Sequence, residues 1–287
     1  MTRPLVSERI GDFELPGGHR LEYTEYGAGD RWVVLVHGLL MPRRMHQPLA
    51  RALAGEGCHV VTLDLLGHGR SDRPADQLAY SMTAFAEQVV ALLDHLGAAE
   101  AVVGGTSLGA NVALETAVLA PARVRGLLCE MPVLDHALEA SIVAFVPLLF
   151  AARFAPVSVR AVRGLTRPVP RGLMPFWGGI WLDTLDQQPQ AMAAVLHGLI
   201  FGRLAPFARQ RREIDVPVLV VGHPSDPVHP FADAERLAQE LPHAVFEAAT
   251  SIVEWRVAPD RLNARTAQFV SSCWSTGTTR QRRRSGS

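Results

Sequence analysis

The residues best suited to covalent chemistry form one short run, Gly105-Thr106-Ser107-Leu108-Gly109. A serine hydroxyl attacks a carbonyl only when it is held clear of its own chain and relieved of its proton. Here an apolar segment (101–103) precedes the run and a helix-forming segment (110–119) follows it, so the pattern reads as strand, tight turn, helix. The two glycines allow the sharp turn and the close approach of helix to strand. Ser107 is left exposed, with the N–H groups of the new helix aimed into the same space. The chemistry implied is acyl transfer. Nothing else in the chain competes with it: there is no Walker sequence, no strand-associated dinucleotide fingerprint and no metal-ligand spacing, so neither cofactor nor metal is expected. Cys58, Cys129 and Cys273 form no Cys-x-x-Cys pair and read as packing residues.

Such a serine needs a scaffold. Two alternating segments around Phe13 and residues 21–26, separated by Pro16-Gly17-Gly18, predict an opening β-hairpin. Continuous apolar runs then follow at 32–36, 58–63, 101–103, 126–129 and 216–221, alternating with segments of helical period. That pattern implies an α/β fold, a mostly parallel sheet covered by helices on both faces. Ser81 is the expected N-cap of a helix whose stripe of Phe85, Val89, Leu92, Leu93 and Leu96 stops at Gly97. From Asp135 the alternation ceases, and a long helical, apolar stretch intervenes before the next strand. The expected division is a first core segment (1–134), an inserted helical cap (135–205), a second core segment (206–272) and a disordered basic tail (273–287).

With these elements in place the chain resembles the α/β-hydrolase family from about Leu21 to Val270. His37-Gly38-Leu39-Leu40 follows the apolar strand ending at Val36, where the family builds half of its oxyanion hole. The resemblance therefore implies that the N–H groups of Leu39 and Leu108 receive the developing oxyanion. The run Asp64 to Asp72 looks like a structural turn of the family, in which His68 has no catalytic part. Gly222-His223-Pro224-Ser225-Asp226-Pro227 is similar to the loop that presents the triad carboxylate, which implies Asp226 as the acid, with Glu130 at the end of the 126–129 strand as the alternative acid. The family's histidine belongs on a loop after the last strand. Aligning Pro259-Asp260 with the start of the final helix puts Ile252 in that place, and no histidine follows His243, which precedes the 244–247 strand and belongs at the other end of the sheet. Three other histidines are weighed in its place. His46, at the helix start after the oxyanion loop, is the alternative base; His229 reads as a residue that caps or orients the Asp226 loop; His197 could face the pocket from the cap.

Bulk properties set the outer bounds. The 287 residues are 48% hydrophobic and 20% charged, enough to bury one large core, and the formal net charge is zero. That balance gives no reason to expect nucleic acid or a membrane as partner, so a small apolar ligand is expected. Residues 1–9 carry no apolar targeting segment, from which a cytoplasmic location is expected. Aromatic and aliphatic residues of the cap, among them Phe145, Leu149, Phe176, Trp177, Trp181 and Leu196, fit a medium-sized apolar substrate, while Arg209, Arg211 and Arg212 read as a solvated helix face. The function implied is a serine hydrolase of carboxylesterase type acting through Ser107 on an apolar ester or related carbonyl compound. The alternative, raised by Ile252, is a non-hydrolytic or catalytically silent ligand-binding protein on the same scaffold.

Overall fold

The computed structural model describes residues 6–134 and 137–275. The opening hairpin pairs β1 (Glu8–Glu14) with β2 (Arg20–Tyr26) antiparallel. The chain then alternates strand and helix: β3 (Trp32–Val36), α1 (Gln47–Gly55), β4 (His59–Leu63), α2 (Met82–His95), β5 (Ala101–Thr106), α3 (Leu108–Leu119) and β6 (Val124–Glu130). Among the described residues five α-helices come next with no strand between them: α4 (Ala137–Phe154), α5 (Pro156–Thr166), α6 (Phe176–Leu185), α7 (Pro189–Ile200) and α8 (Ala208–Arg212). The core resumes with β7 (Val218–Gly222), α9 (Phe231–Glu240), β8 (Ala244–Ala248), α10 (Glu254–Val257) and α11 (Asp260–Ser275).

One eight-stranded sheet has the order β1-β2-β4-β3-β5-β6-β7-β8. It is antiparallel through the first three strands of that order and parallel from β4 to β8. Successive residues of a strand point to opposite faces, and the apolar runs supply both. Val34, Val36 and Val103 enter the core shared with α2 and α3, whereas Val33, Leu35 and Val102 enter the one shared with α1 and α11. Ser81 caps α2 as expected, its Oγ accepting from Ala84 N at 3.0 Å. The three cysteines are buried and unpaired.

Two expectations are corrected. Residues 273–275 belong to α11, whose Cys273 is buried against the sheet; the rest of the expected tail lies outside the described residues. Arg211 is buried rather than solvated. Its Nε donates to Glu240 Oε2 at 2.7 Å and its Nη1 to Pro206 O at 2.6 Å, so it ties α8 to α9 while Arg209 stays exposed.

Candidate active site

Because β3 to β8 run parallel, their C-terminal ends share one edge, where loops can converge. At this edge β5 ends in Thr106, and Ser107 takes φ 55° and ψ −111°, a strained conformation for a residue with a Cβ. The turn is held from both sides: Ser107 N donates to Glu130 O at 2.8 Å, and Asn111 N to Ser107 O at 3.1 Å. The flanking glycines are there for space. A Cβ on Gly105 would lie 2.1 Å from Val36 O, and one on Gly109 would lie 2.0 Å from the same oxygen. That atom belongs to the backbone of a central strand and cannot move aside. Gly109→Ala should therefore destabilise the protein by about 3 kcal/mol and lower its melting temperature by about 5 °C, read by a thermal unfolding scan.

Beside this turn lie the Leu39 and Leu108 amides named as oxyanion donors. Leu108 opens α3, so its N–H is among those a helix leaves without an internal acceptor. Leu39 precedes Leu40, whose φ of 61° bends the loop after β3, and among the described residues Leu39 N–H has no hydrogen-bond acceptor. The loop is held from the helical insertion, where buried Gln187 donates through Nε2 to Leu40 O at 3.0 Å.

The third convergent loop follows β7. Asp226 lies in it, mostly buried, with a carboxylate that organises its own turn: Oδ1 accepts from Val228 N at 2.8 Å and from His229 N at 3.0 Å. Pro227 and Pro230 flank this turn, and α9 starts directly after it. The turn places the imidazole of His229 beside the carboxylate that shapes it. His229 Nδ1 donates to Asp226 Oδ2 at 2.9 Å, and Ser107 Oγ, 122 residues away, donates to His229 Nε2 at 2.8 Å. Burial by itself would raise the Asp226 pKa, but hydrogen bonding and charge from His229, with the two backbone N–H groups, hold it below the usual carboxylate range. Carboxylate, imidazole and hydroxyl thus stand in the order needed to draw a proton from Ser107 Oγ.

The reading of His229 as only a cap of its loop is corrected by this geometry, and so is the choice of His46 as the alternative base. His46 is buried, and its Nε2 donates to Val36 O at 2.9 Å, which commits the ring to the sheet. Desolvation pushes its pKa down to about 4, with the nearby Glu130 opposing and Arg256 assisting. A buried neutral histidine contributes stability that is complete above the unfolded-state value of about 6.5 and is lost as pH falls toward 4. Urea unfolding of the parent should therefore lose on the order of 2 to 3 kcal/mol more between pH 7 and pH 4.5 than unfolding of His46→Gln, which cannot take up a proton.

Glu130, the alternative acid, is engaged elsewhere. It accepts from Thr106 Oγ1, lies 2.8 Å from Arg256 Nη2, and lies 3.1 Å from His223 Nε2. Burial would raise its pKa, but Arg256 and His223 more than offset that and keep it ionised well below the ordinary range. The group braces the residue before Ser107 and does not reach the hydroxyl through a histidine, because His223 Nδ1 donates instead to Ser251 O at 3.1 Å. Ile252 sits in that same loop after β8, partly exposed and with no group to offer a proton. His68 is buried with Nδ1 donating to Leu66 O at 3.0 Å, His197 packs tilted against Phe201 with ring centroids 4.7 Å apart, and His243 pairs with Asp215 at 2.8 Å where β8 begins. One signal for His229 was present in the sequence: a histidine three residues past the candidate acid, between two prolines that stiffen the turn. Among the described residues no group of His, Cys, Asp and Glu could hold a metal ion.

Known proteins agree with this architecture. A sequence profile described as the alpha/beta hydrolase fold matches residues 31–251. The 2-hydroxymuconate semialdehyde hydrolase of Pseudomonas putida is 33% identical over 129 residues, 44% of this chain and 45% of that protein. The 3-oxoadipate enol-lactonase 2 of Acinetobacter baylyi is 24% identical over 239 residues, covering 79% of this chain and 84% of that protein. The chain spans less than half the length of several curated relatives it matches, 30% of the dihydrolipoyllysine-residue acetyltransferase component of an acetoin cleaving system from Pseudomonas putida and 45% of the semialdehyde hydrolase. In three dimensions it superposes on a hydrolase from Pseudomonas aeruginosa PA01 with a TM-score of 0.73 at 20% identity, covering 94% of this chain and 99% of the other, and on the enol-lactonase of Burkholderia xenovorans LB400 with a TM-score of 0.73 at 20% identity, covering 91% and 100%. The profile match takes in β3 to β8, the serine turn and the loop bearing Asp226 and His229, and on that ground the chain belongs to the α/β-hydrolase fold family.

Proposed function

We propose that this protein is a serine hydrolase of apolar esters, including cyclic esters. The observation that carries the reading is the continuous hydrogen-bonded line from Asp226 through His229 to Ser107 Oγ, at 2.9 and 2.8 Å. In the first step Ser107 Oγ forms a bond to the carbonyl carbon while its proton passes to His229 Nε2. Asp226 holds Nδ1–H, keeps the free lone pair on Nε2, and stabilises the imidazolium that results. The N–H groups of Leu39 and Leu108 receive the negative charge on the carbonyl oxygen, each such donor contributing about 3 to 4 kcal/mol at the transition state. Collapse expels the alcohol, which takes the proton back from Nε2. Water then repeats the sequence on the acyl-enzyme.

Substrate class follows from what surrounds Leu39 and Leu40. Ala152, Met192 and Leu196 bury against Leu40, with Phe145, Leu149 and Val159 beside them, all from α4, α5 and α7. These helices act as the cap of the site. The aliphatic and aromatic side chains of this cluster suit an apolar acyl or alkyl group. The lactonase relative supports inclusion of cyclic esters. The catalytically silent reading loses its motive, since it rested on the want of a base at Ile252.

The test is covalent capture. A fluorophosphonate should add once to the purified protein, peptide mass mapping should place the adduct on Ser107, and Ser107→Ala should abolish it. No adduct on folded protein, together with no hydrolysis of short- and medium-chain aryl esters, would exclude a serine hydrolase.

A further inference from the structure

From the exposed side of the helical insertion we infer that α4 and α5 dock the protein on an anionic lipid surface. From Ala140 to Leu182 the sequence contains no Asp or Glu, yet it carries Arg153, Arg160, Arg163, Arg167 and Arg171. Two of these are used inside the protein, Arg163 with Asp186 at 2.6 Å and Arg171 with Asp183 at 3.1 Å. Arg153, Arg160 and Arg167 are exposed and have no acidic partner among the described residues. Large apolar side chains stand among them: Phe150 is 57% exposed, Phe154 73%, Val157 70%, Leu165 78%, Leu173 82% and Trp181 63%. Their spacing is helical, Phe150 and Phe154 stacking tilted at 5.4 Å on α4, and Val157 and Leu165 lying on one stripe of α5. The opposite side of these helices is the one that packs, through Phe145, Leu149, Ala152 and Val159, against the Leu39-Leu40 loop.

A face that is apolar and cationic at once matches the interface of an anionic bilayer, where the rings and aliphatic chains enter the headgroup boundary and the guanidinium groups meet phosphate. The helices meet at 100°, and among the described residues no single helix is long and apolar enough to cross a membrane; with Arg153, Arg160 and Arg167 set among the apolar side chains, the proposed docking lays the pair along the surface. A second copy of the chain suits this face less well. In a two-fold interface the same patch meets itself, and the free arginines would find only one another. Docking here brings the loop after β3 to about one helix diameter, ~10 Å, from the lipid. The inference stands apart from the chemistry at Ser107, because lipid binding and ester hydrolysis are measured separately.

Co-sedimentation of the full chain with vesicles of phosphatidylcholine containing phosphatidylglycerol, or of phosphatidylcholine alone, tests it. Strong binding is expected only to the anionic vesicles, weakening as salt is raised. Each arginine near an anionic surface raises partitioning about fivefold, so R153Q/R160Q/R167Q should bind about 100-fold more weakly. F154S/V157S/L165S should also detach, while both variants keep the parent's circular dichroism and its rate on a water-soluble aryl ester. Absence of the parent from anionic vesicles at low salt overturns the inference, as does equal binding by parent and both variants. A parent dimer that F154S/V157S/L165S converts to monomer, without vesicle binding, assigns the face to a second copy and overturns it too.

Discussion

His229→Ala should reduce kcat on a short-chain aryl ester by about 10⁵ to 10⁶, with KM little changed. The size follows from the two steps the proposed mechanism gives one imidazole: removing the Ser107 proton as the bond to carbon forms, and returning a proton to the leaving alcohol. Among the described residues no other histidine is placed to take over. His46 is bound to Val36 O, His223 faces Glu130 and Ser251, and Ile252 has no proton to exchange. The substitution leaves the turn in place, since Asp226 grips the His229 backbone N–H as well as its ring. A residual rate about 10³ to 10⁴ above water is expected from the amides of Leu39 and Leu108 and from substrate binding. A variant that retains a tenth of the parent's kcat would show that the proton leaves Ser107 by another route.

A second large effect belongs to Asp226→Asn, for which kcat should fall about 10⁴-fold, equivalent to roughly 5.5 kcal/mol of barrier. Asparagine keeps the oxygen that accepts from Val228 N and His229 N, so the turn and the melting temperature should change little. That fixes the side chain with its NH₂ in the position of Oδ2, a donor facing His229 Nδ1 in place of an acceptor. The imidazole then carries its proton on Nε2, pointing at Ser107 Oγ, and offers no lone pair. Asp226→Ala separates the two roles, because it also frees both backbone N–H groups. It should lose the activity and in addition about 1 to 3 kcal/mol of stability, measured by urea unfolding. Equal melting temperatures for the alanine and parent proteins would deny Asp226 its part in shaping the turn.

Much of the fold could be read from local pattern. The five apolar runs from 32–36 onward fall on β3 to β7, because parallel strands covered on both faces must be apolar at every position and need no partner to declare themselves. Ser81 and Gly97 bound α2 through hydrogen bonding and backbone freedom that act within a few residues. The serine turn was legible because strand, Gly-x-Ser-x-Gly and helix follow one another directly, although the space both glycines must leave is set by Val36 O on the neighbouring strand. Arg211 misled because three arginines in a row look alike in sequence, and only the approach of Glu240 from α9 singles one out for burial.

By itself the sequence determined the α/β sheet, the strained turn at Ser107, the loop bearing Asp226 and the absence of a histidine after β8, all properties of short segments. Tertiary structure decided which imidazole faces the hydroxyl. Sequence spacing places His229 three residues from Asp226 but cannot say that a loop leaving β7 reaches across β6 to the end of β5, because that distance is set by the order of strands in the sheet. Tertiary structure likewise divided the apolar side chains of α4, sending Ala152 inward against Leu40 and leaving Phe150 and Phe154 to the solvent, since a helix that is apolar on all sides carries no mark of which side will be covered.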